Sequence, residues 1–532
     1  MAADIEALER RATAMISARS GHETVVRECY LHSWPMRAHG FAGEEIDSLS
    51  GKTKRADLLD STSTDAGNVL VASIVGGMTP ASQRWFGLYL EGVSEAAQAW
   101  LDERAEWLWT NIHQANFDAV APEFITDVIG GGLGGMYVDV DRESGGFSFE
   151  WWAAGTLYVA ASKPGGQVDI VLRRYKLSAE QCVSQFGEEM VSADTRKLAQ
   201  DKPDELVELR RMIYPRRDRK PGSQFANQMP FASCTWEVAT KKLVRESGYH
   251  EFPVMAPRWS LLPNSHYAVG PMFDALPDIK QLNDLVSMEN AAVDLAVSGM
   301  WIAEDDGVLN AKSVKVGPRK VIVANSVDSM KPLLTGADFN VSFTKKDQLQ
   351  AAIRRTLMAD QLAPPTDPRM TATEWLGRVA MLRQMLGPRF GRFQSEWLQP
   401  LVVRCFGLAL REGVLGPLPD ELRGRAAQVQ YISPLARSQK LEEVAAMDRF
   451  EADIGAKVQL RPDVADLYDW DAAQRHKAQL LGVPLRLLPD ARQVKALREA
   501  RAKQQEQAQQ QAMLQGAAQS FIDAGAKRMA QA

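Results

Sequence analysis

Apolar residues recur at three- and four-residue steps from the start of the chain. Leu8, Ala12, Met15 and Ile16, followed by Val25, Val26, Cys29 and Tyr30, predict a helix over 4–34. Gly, Ser, Thr and Lys dominate 40–64, which reads as loop. Helical spacing returns at 65–78 and at 94–117, where Trp100, Leu101, Trp107, Leu108 and Ile112 mark one face. A helix over 118–129 stops at a run of glycines, Gly130 to Gly135, interrupted by Leu133. The period then changes to two. MYVDVDRESGGFSFEWW alternates apolar and polar about Gly145-Gly146, which predicts a hairpin. TLYVA and GQVDIVLRRY continue as strands, 178–213 reads as helix again, and 214–262 as further short strands.

The segment 271–300 is the longest amphipathic run in this part of the chain. Pro271 suits a first helical turn, and Leu276, Ile279, Leu282, Leu285, Val286, Val293 and Leu295 follow at helical steps. A continuous helix of that length is about 45 Å long, with Pro277 as a kink or as the true start. Its charge is lopsided: Asp274, Asp278, Asp284, Glu289 and Asp294 are opposed only by Lys280, either as a solvated face or as a surface with a purpose. Short strands and turns occupy 301–342, helix restarts over 344–360, and a breaker-rich loop carries Pro364, Pro365 and Pro368. A long helix follows over about 372–414, with Pro388 and Pro400 as expected kinks. Beyond a linker at 415–435, helices are predicted over 436–450 and 463–481, and 490–515 is a Gln-, Ala- and charge-rich helical tail. The fold class is α+β, predominantly helical.

Composition narrows the function. The 532 residues hold 62 Lys and Arg against 67 Asp and Glu, a net charge of -5. A protein that grips duplex DNA by its phosphates is usually basic, so this chain is expected to meet DNA only transiently. The N-terminal segment lacks the apolar core of a secretory signal, and no apolar run approaches the ~18–20 residues that span a bilayer, so a soluble protein without membrane contact is expected. Cys29, Cys182, Cys234 and Cys405 are far apart and read as buried, inert thiols.

Catalytic patterns are weak throughout. Gly130, Gly132 and Gly135 match G-x-G-x-x-G, but a helix precedes and a strand follows, the reverse of the dinucleotide-binding context. No phosphate-binding GxxxxGK[ST] occurs, which excludes a packaging ATPase. Asp139, Asp141, Glu143 and Glu150 fall at calcium-loop spacings, yet Ser144 stands where the turn glycine belongs and the segment is a hairpin. The seven histidines form no HExxH or HxH pattern. Trp34, Trp85, Trp100 and the Trp151-Trp152 pair lie on apolar faces, where packing outweighs base stacking. No catalytic residue, metal site or cofactor is expected.

Four stretches carry a resemblance. They are DSTSTDAGNVLVASIVGGMTPASQRWFGL (60–88); the hairpin with Tyr137, Val138 and Trp151-Trp152; NSHYAVGPMFDALPDIKQLN (264–283), in which Ala268 and Val269 separate Tyr267 from Gly270; and PRMTATEWLGR (368–378) joined to LGPRFGRFQSEWLQPLVVR (386–404) and YISPLARSQK (431–440). In this order they resemble the head-to-tail connector, or portal, family of short-tailed double-stranded DNA phages over nearly the whole chain. The resemblance implies a portal fold with wing, stem, clip and crown. Residues 1–270 would be wing, 271–300 and 344–360 paired stem helices, 301–343 a clip, and 361–371 a tunnel loop. Residues 372–435 would be a long wing helix and linker, and 436–532 the crown. It implies a non-enzymatic ring, typically of twelve copies, at one capsid vertex of the virion. DNA is packaged and ejected through that ring. The implied partners are further copies of the chain, major capsid and scaffolding proteins, the terminase large subunit, tail adaptor and nozzle proteins, and transient double-stranded DNA. Arg369, Asp284, Glu289 and Asp294 would face the DNA channel. Lys312, Lys315, Arg319 and Lys320 would make partner contacts in the clip. A tail adaptor or other virion protein is the alternative, and a DNA-processing enzyme a weaker one.

Overall fold

The computed structural model describes residues 4–41, 58–82, 84–143, 145–219, 225–298, 301–303, 330–332, 339–362, 386–387, 389–423, 428–431, 434–458, 461, 468–481, 483, 493–501 and 503–504. The chain divides into two compact units. One comprises 1–85, 107–416 and 433–435, the other 86–106, 417–432 and 436–532.

Helix α1 (Ile5–Leu31) begins at Asp4, whose carboxylate accepts hydrogen bonds from the Glu6 and Ala7 amides and satisfies free donors of the first turn. α2 (Thr62–Met78) opens three residues earlier than its apolar period suggests. Strand β1 (Phe86–Tyr89) precedes α3 (Glu95–Gln114) and α4 (Phe117–Gly131). β2 (Gly135–Val140) and β3 (Phe147–Trp152) form the expected hairpin, its turn closed by Gly145 and Gly146 at φ 74 and 103. β4 (Leu157–Ala160) and β5 (Ile170–Ser178) lead to α5 (Ala179–Phe186), which carries a reciprocal capping box between Ser178 and Gln181, and to α6 (Ala193–Asp201).

The helix expected over 178–213 is not continuous. Its last part is β6 (Leu206–Pro215), the middle strand of an antiparallel five-stranded sheet in the order β4-β5-β6-β7-β8, with β7 (Phe231–Glu237) and β8 (Leu243–Tyr249). Alternation explains why the strand holds. Ile170, Leu172, Met212, Cys234 and Trp236 face α1 and pack on Leu8, Ala12 and Met15. Val159, Val171 and Ile213 face the other way, into a core with Tyr137, Trp152 and Tyr249. The charged residues that make LVELRRMIY look helical are partnered: Arg210 pairs with Glu9, and Arg211 donates to the Tyr137 and Tyr249 hydroxyls.

β9 (Val254–Met255) adds to β2, and β10 (Ser260–Leu261) pairs with β11 (Ala268–Val269). Then come α7 (Pro271–Ser298), an antiparallel pair β12 (Trp301–Ala303) and β13 (Met330–Pro332), α8 (Phe339–Thr356) and α9 (Ala359–Leu362). α7 starts at Pro271 and runs on through Pro277. The helix expected over 344–360 instead begins at Phe339 and stops at Thr356, because Met358 adopts a left-handed φ of 59. Of the helix expected over 372–414, residues 372–385 and 388 lie outside the described residues, as does 363–371 of the expected tunnel loop. The remainder passes through a π-turn at Gln394–Leu398 into α10 (Gln399–Arg411).

In the second unit, β1 pairs with β14 (Gln428–Tyr431), Phe86 opposite Tyr431. α11 (Pro434–Val458) and α12 (Trp470–Leu481) pack through Phe450, Tyr468 and Trp470, whose rings meet edge to face at 5.5 and 5.1 Å. Most of the expected tail at 490–515 lies outside the described residues; 493–501 is helical.

The glycine run is a packing joint. Gly132 caps α4 at φ 82, and a Cβ there would stand 2.4 Å from the Val269 carbonyl carbon. At Gly270, immediately before α7, a Cβ would lie 2.1 Å from the Ile129 carbonyl oxygen. The backbones of α4 and of the α7 entry therefore touch with no side chain between them.

Candidate functional site

α7 and α8 form the feature around which a functional site can be built. The inward face of α7 (Met272, Ala275, Leu276, Ile279, Leu282, Val286) packs with Leu349, Ile353 and Leu357 of the α8 side and with Cys29 and Ala66 of α1 and α2. At the far end Ser342 donates to Glu289 (2.6 Å) and Lys346 pairs with it (3.4 Å), so the two helices run antiparallel. At the near end Lys280 pairs with Glu28 (2.7 Å), and Asn283 accepts from the Leu59 amide (2.7 Å).

Burial fades along the pair. Up to Val286 one face of α7 is covered; from 287 to 294 no side chain is buried. Met288 is 68% exposed, Val293 51%, and Phe343 at the matching end of α8 56%. Three large apolar side chains in water at one end of a helix pair mark a surface that a partner covers. β12 and β13 lie beyond that end in the chain.

The carboxylates singled out from sequence have different fates. Asp284 and Asp294 are exposed, with no partner among the described residues. Glu289 is engaged by Ser342 and Lys346, and its side chain is only 13% exposed. Lys312, Lys315, Arg319, Lys320 and Arg369 lie outside the described residues.

The competing chemical readings find structural explanations. Asp139 accepts from Tyr137 and faces Arg404 (3.6 Å), while Glu150 pairs with Arg173 (2.6 Å) across the strands. Among the described residues no cluster of His, Cys, Asp or Glu could hold a metal. Trp152 is buried and stacks on Tyr137 at 5.1 Å, and Trp151 donates to Asp127 (2.8 Å). All four cysteines are buried. Burial pushes Cys29 up to about 12 and Cys182 and Cys234 up to about 11, so none is a ready thiolate. No described helix is long and apolar enough to cross a membrane.

Sequence reasoning missed two buried ionic knots. Arg404, in the apolar run QPLVVRCFGLAL, is 2% exposed and reaches Glu251 (3.1 Å), which also holds Arg411 (2.6 Å). Arg258 and Glu396, at 5% and 8% exposure, meet through two contacts of 2.5 and 3.2 Å. An arginine alone in an apolar helix signals a buried partner, and Arg404 could have been found that way.

The family model for bacteriophage head-to-tail connecting proteins matches residues 6–488. The chain belongs to this family. It is 27% identical over 529 residues to a probable portal protein of Bordetella phage BPP-1, covering 96% of this chain and 95% of the relative. It is likewise 27% identical over 483 residues to the portal protein of Salmonella phage epsilon15, covering 88% and 86%. A chain from the neck of an empty GTA particle is 13% identical, covers 74% of this chain and 88% of its own length, and superposes with a TM-score of 0.32, too loosely to bear on the fold. A head-to-tail connecting protein is a structural part of the phage particle. This connector is accordingly a virion portal component of α+β fold, and not an enzyme.

Proposed function

We propose that the connector assembles into a closed ring through which DNA enters and leaves the capsid, with α7 and α8 as the stem. The carrying observation is the helix pair whose inner half is anchored in the body and whose outer half exposes Met288, Val293 and Phe343. Among the described residues nothing buries these side chains. A head-to-tail interface that closes by rotation covers them with the next copy. Asp284 and Asp294 would then repeat around the pore and repel phosphates, so that DNA slides and does not stick. On this reading 1–270 is wing, 301–343 a clip, 361–371 a tunnel loop that carries Arg369, 372–435 a long wing helix and linker, and 436–532 the crown. Lys312, Lys315, Arg319 and Lys320 would meet the terminase large subunit, then tail adaptor and nozzle proteins, while capsid and scaffolding proteins would hold the ring at its vertex.

Light scattering and negative-stain images of the purified protein test the assembly. Twelve copies of a 58.8 kDa chain give about 700 kDa. Met288→Glu with Val293→Glu is expected to leave the circular dichroism unchanged and abolish the ring. A wild-type protein that stays monomeric at micromolar concentration would overturn the proposal.

A further inference from the structure

An open groove of about 1020 Å³ lies within the first unit, away from the α7–α8 pair. Its lining includes Arg11 of α1, Tyr214 near the end of β6, and Arg216, Arg217 and Arg219 just beyond it. Four guanidiniums meet two carboxylates there, Asp218 and Glu246, in a chain whose net charge is -5. Arg216 is spent on structure: it pairs with Glu246 (3.1 Å) and donates to the Ala226 carbonyl (3.2 Å). Among the described residues Arg11 makes only a ring contact, 5.6 Å from the centre of Tyr214, and Arg217 and Arg219 are exposed. Three guanidiniums from two separate elements thus border one groove, with Asp218 as the sole remaining counter-charge among the described lining residues.

We infer that this groove binds the phosphodiester backbone of duplex DNA, independently of sequence. Arginine presents a planar fork of donors that matches phosphate oxygens. Asn227 and Gln228 supply neutral donors of the kind that also contact backbone phosphates. The groove would then hold DNA by charge, the opposite of what the acidic α7 does. The portal reading enters only in naming DNA as the polyanion at hand. The groove itself lies within one chain, so binding can be measured whatever the assembly state.

The test is fluorescence anisotropy of a short labelled DNA duplex with the full-length protein, from about 50 to about 200 mM salt. Arg11→Ala, Arg217→Ala and Arg219→Ala together are expected to weaken binding roughly tenfold or more at the low-salt end. They should also flatten the slope of log K against log salt by about 2.7, at 0.9 per phosphate contact. Arg217→Lys with Arg219→Lys keeps the charge and most of the binding. A control pair on α6, Arg196→Ala with Lys197→Ala, removes two exposed charges and should change little. Wild-type affinity in the triple variant, or an equal loss in the control pair, would overturn the inference. Polyglutamate binding as well as DNA at matched charge would reassign the groove to an acidic peptide. Displacement of the duplex by low concentrations of inorganic phosphate would reassign it to a small anion. Each of these outcomes can occur with the ring present or absent, so the two proposals fail separately.

Discussion

Replacing Glu396 with alanine isolates the contribution of a buried charge. Glu396 sits in the π-turn that leads into α10 and accepts from Arg258 three times: from the backbone amide (3.0 Å), Nε (3.2 Å) and Nη2 (2.5 Å). Both side chains are more than nine-tenths buried. Alanine removes all three of these acceptor contacts at once and strands a guanidinium whose only remaining bond among the described residues is to the Gly166 carbonyl (3.2 Å). Stranding one member of a buried pair costs about 3–5 kcal/mol. For a chain of this size about 1 kcal/mol moves Tm by roughly 1 °C, so a fall of about 3–5 °C is expected. Scanning calorimetry gives the shift, and near-ultraviolet circular dichroism gives its location, because Trp259 and Trp397 both pack on Phe393 beside the pair, at 5.9 and 6.1 Å. The double replacement Arg258→Met with Glu396→Met removes both charges and should recover most of the loss, since apolar residues of similar volume substitute for buried ion pairs at little cost. A Tm change below about 1 °C in Glu396→Ala, or a double variant no better than the single, would refute the reasoning.

Three further outcomes follow from particular contacts. Ile353→Ala, at 0% exposure between α7 and α8, should cost about 2–5 kcal/mol in calorimetry, and a cost near zero would mean the helix pair is not packed as described. Gly132→Ala should destabilise by more than about 1 kcal/mol, because it combines a φ of 82 with a Cβ pressed on the Val269 backbone; Gly76→Ala, with open space around it, is the control. Burial raises the Glu251 carboxyl, but hydrogen bonds and charge from Arg411 and Arg404 outweigh it and hold the group below the usual carboxylate range. Its stability contribution is therefore complete above the unfolded carboxylate value of about 4.3 and is lost as pH falls below it, so acid unfolding should begin near pH 4 and shrink in Glu251→Gln.

Periodicity carried much of the fold into view. α1, α4, the β2–β3 hairpin and α7 announce themselves because each buries one face on a regular repeat. β6 did not, because its Glu, Leu and Arg residues are good helix formers locally. Their strand conformation depends on Glu9 and Tyr249, which stand about 200 and about 40 positions away in sequence. The early stop of α8 at Met358 was equally hidden, since a left-handed methionine carries no local signal. At the candidate site the acidic bias of α7 was plain, but the engagement of Glu289 by Ser342 and Lys346 was not, because those partners come from the next helix. The basic groove shows in sequence only as Arg216, Arg217 and Arg219; that Arg11 joins them is a product of the α1-on-sheet packing.

The bare backbone contact at Gly132 and Gly270 has a mechanical consequence. With no side chain to act as a cushion, α7 cannot swivel at its root while the α4–β2 corner stays still. A push along the helix arrives undamped at Ile129, Val269 and the strand that carries Tyr137. The joint is built to transmit load as a rigid hinge plate would.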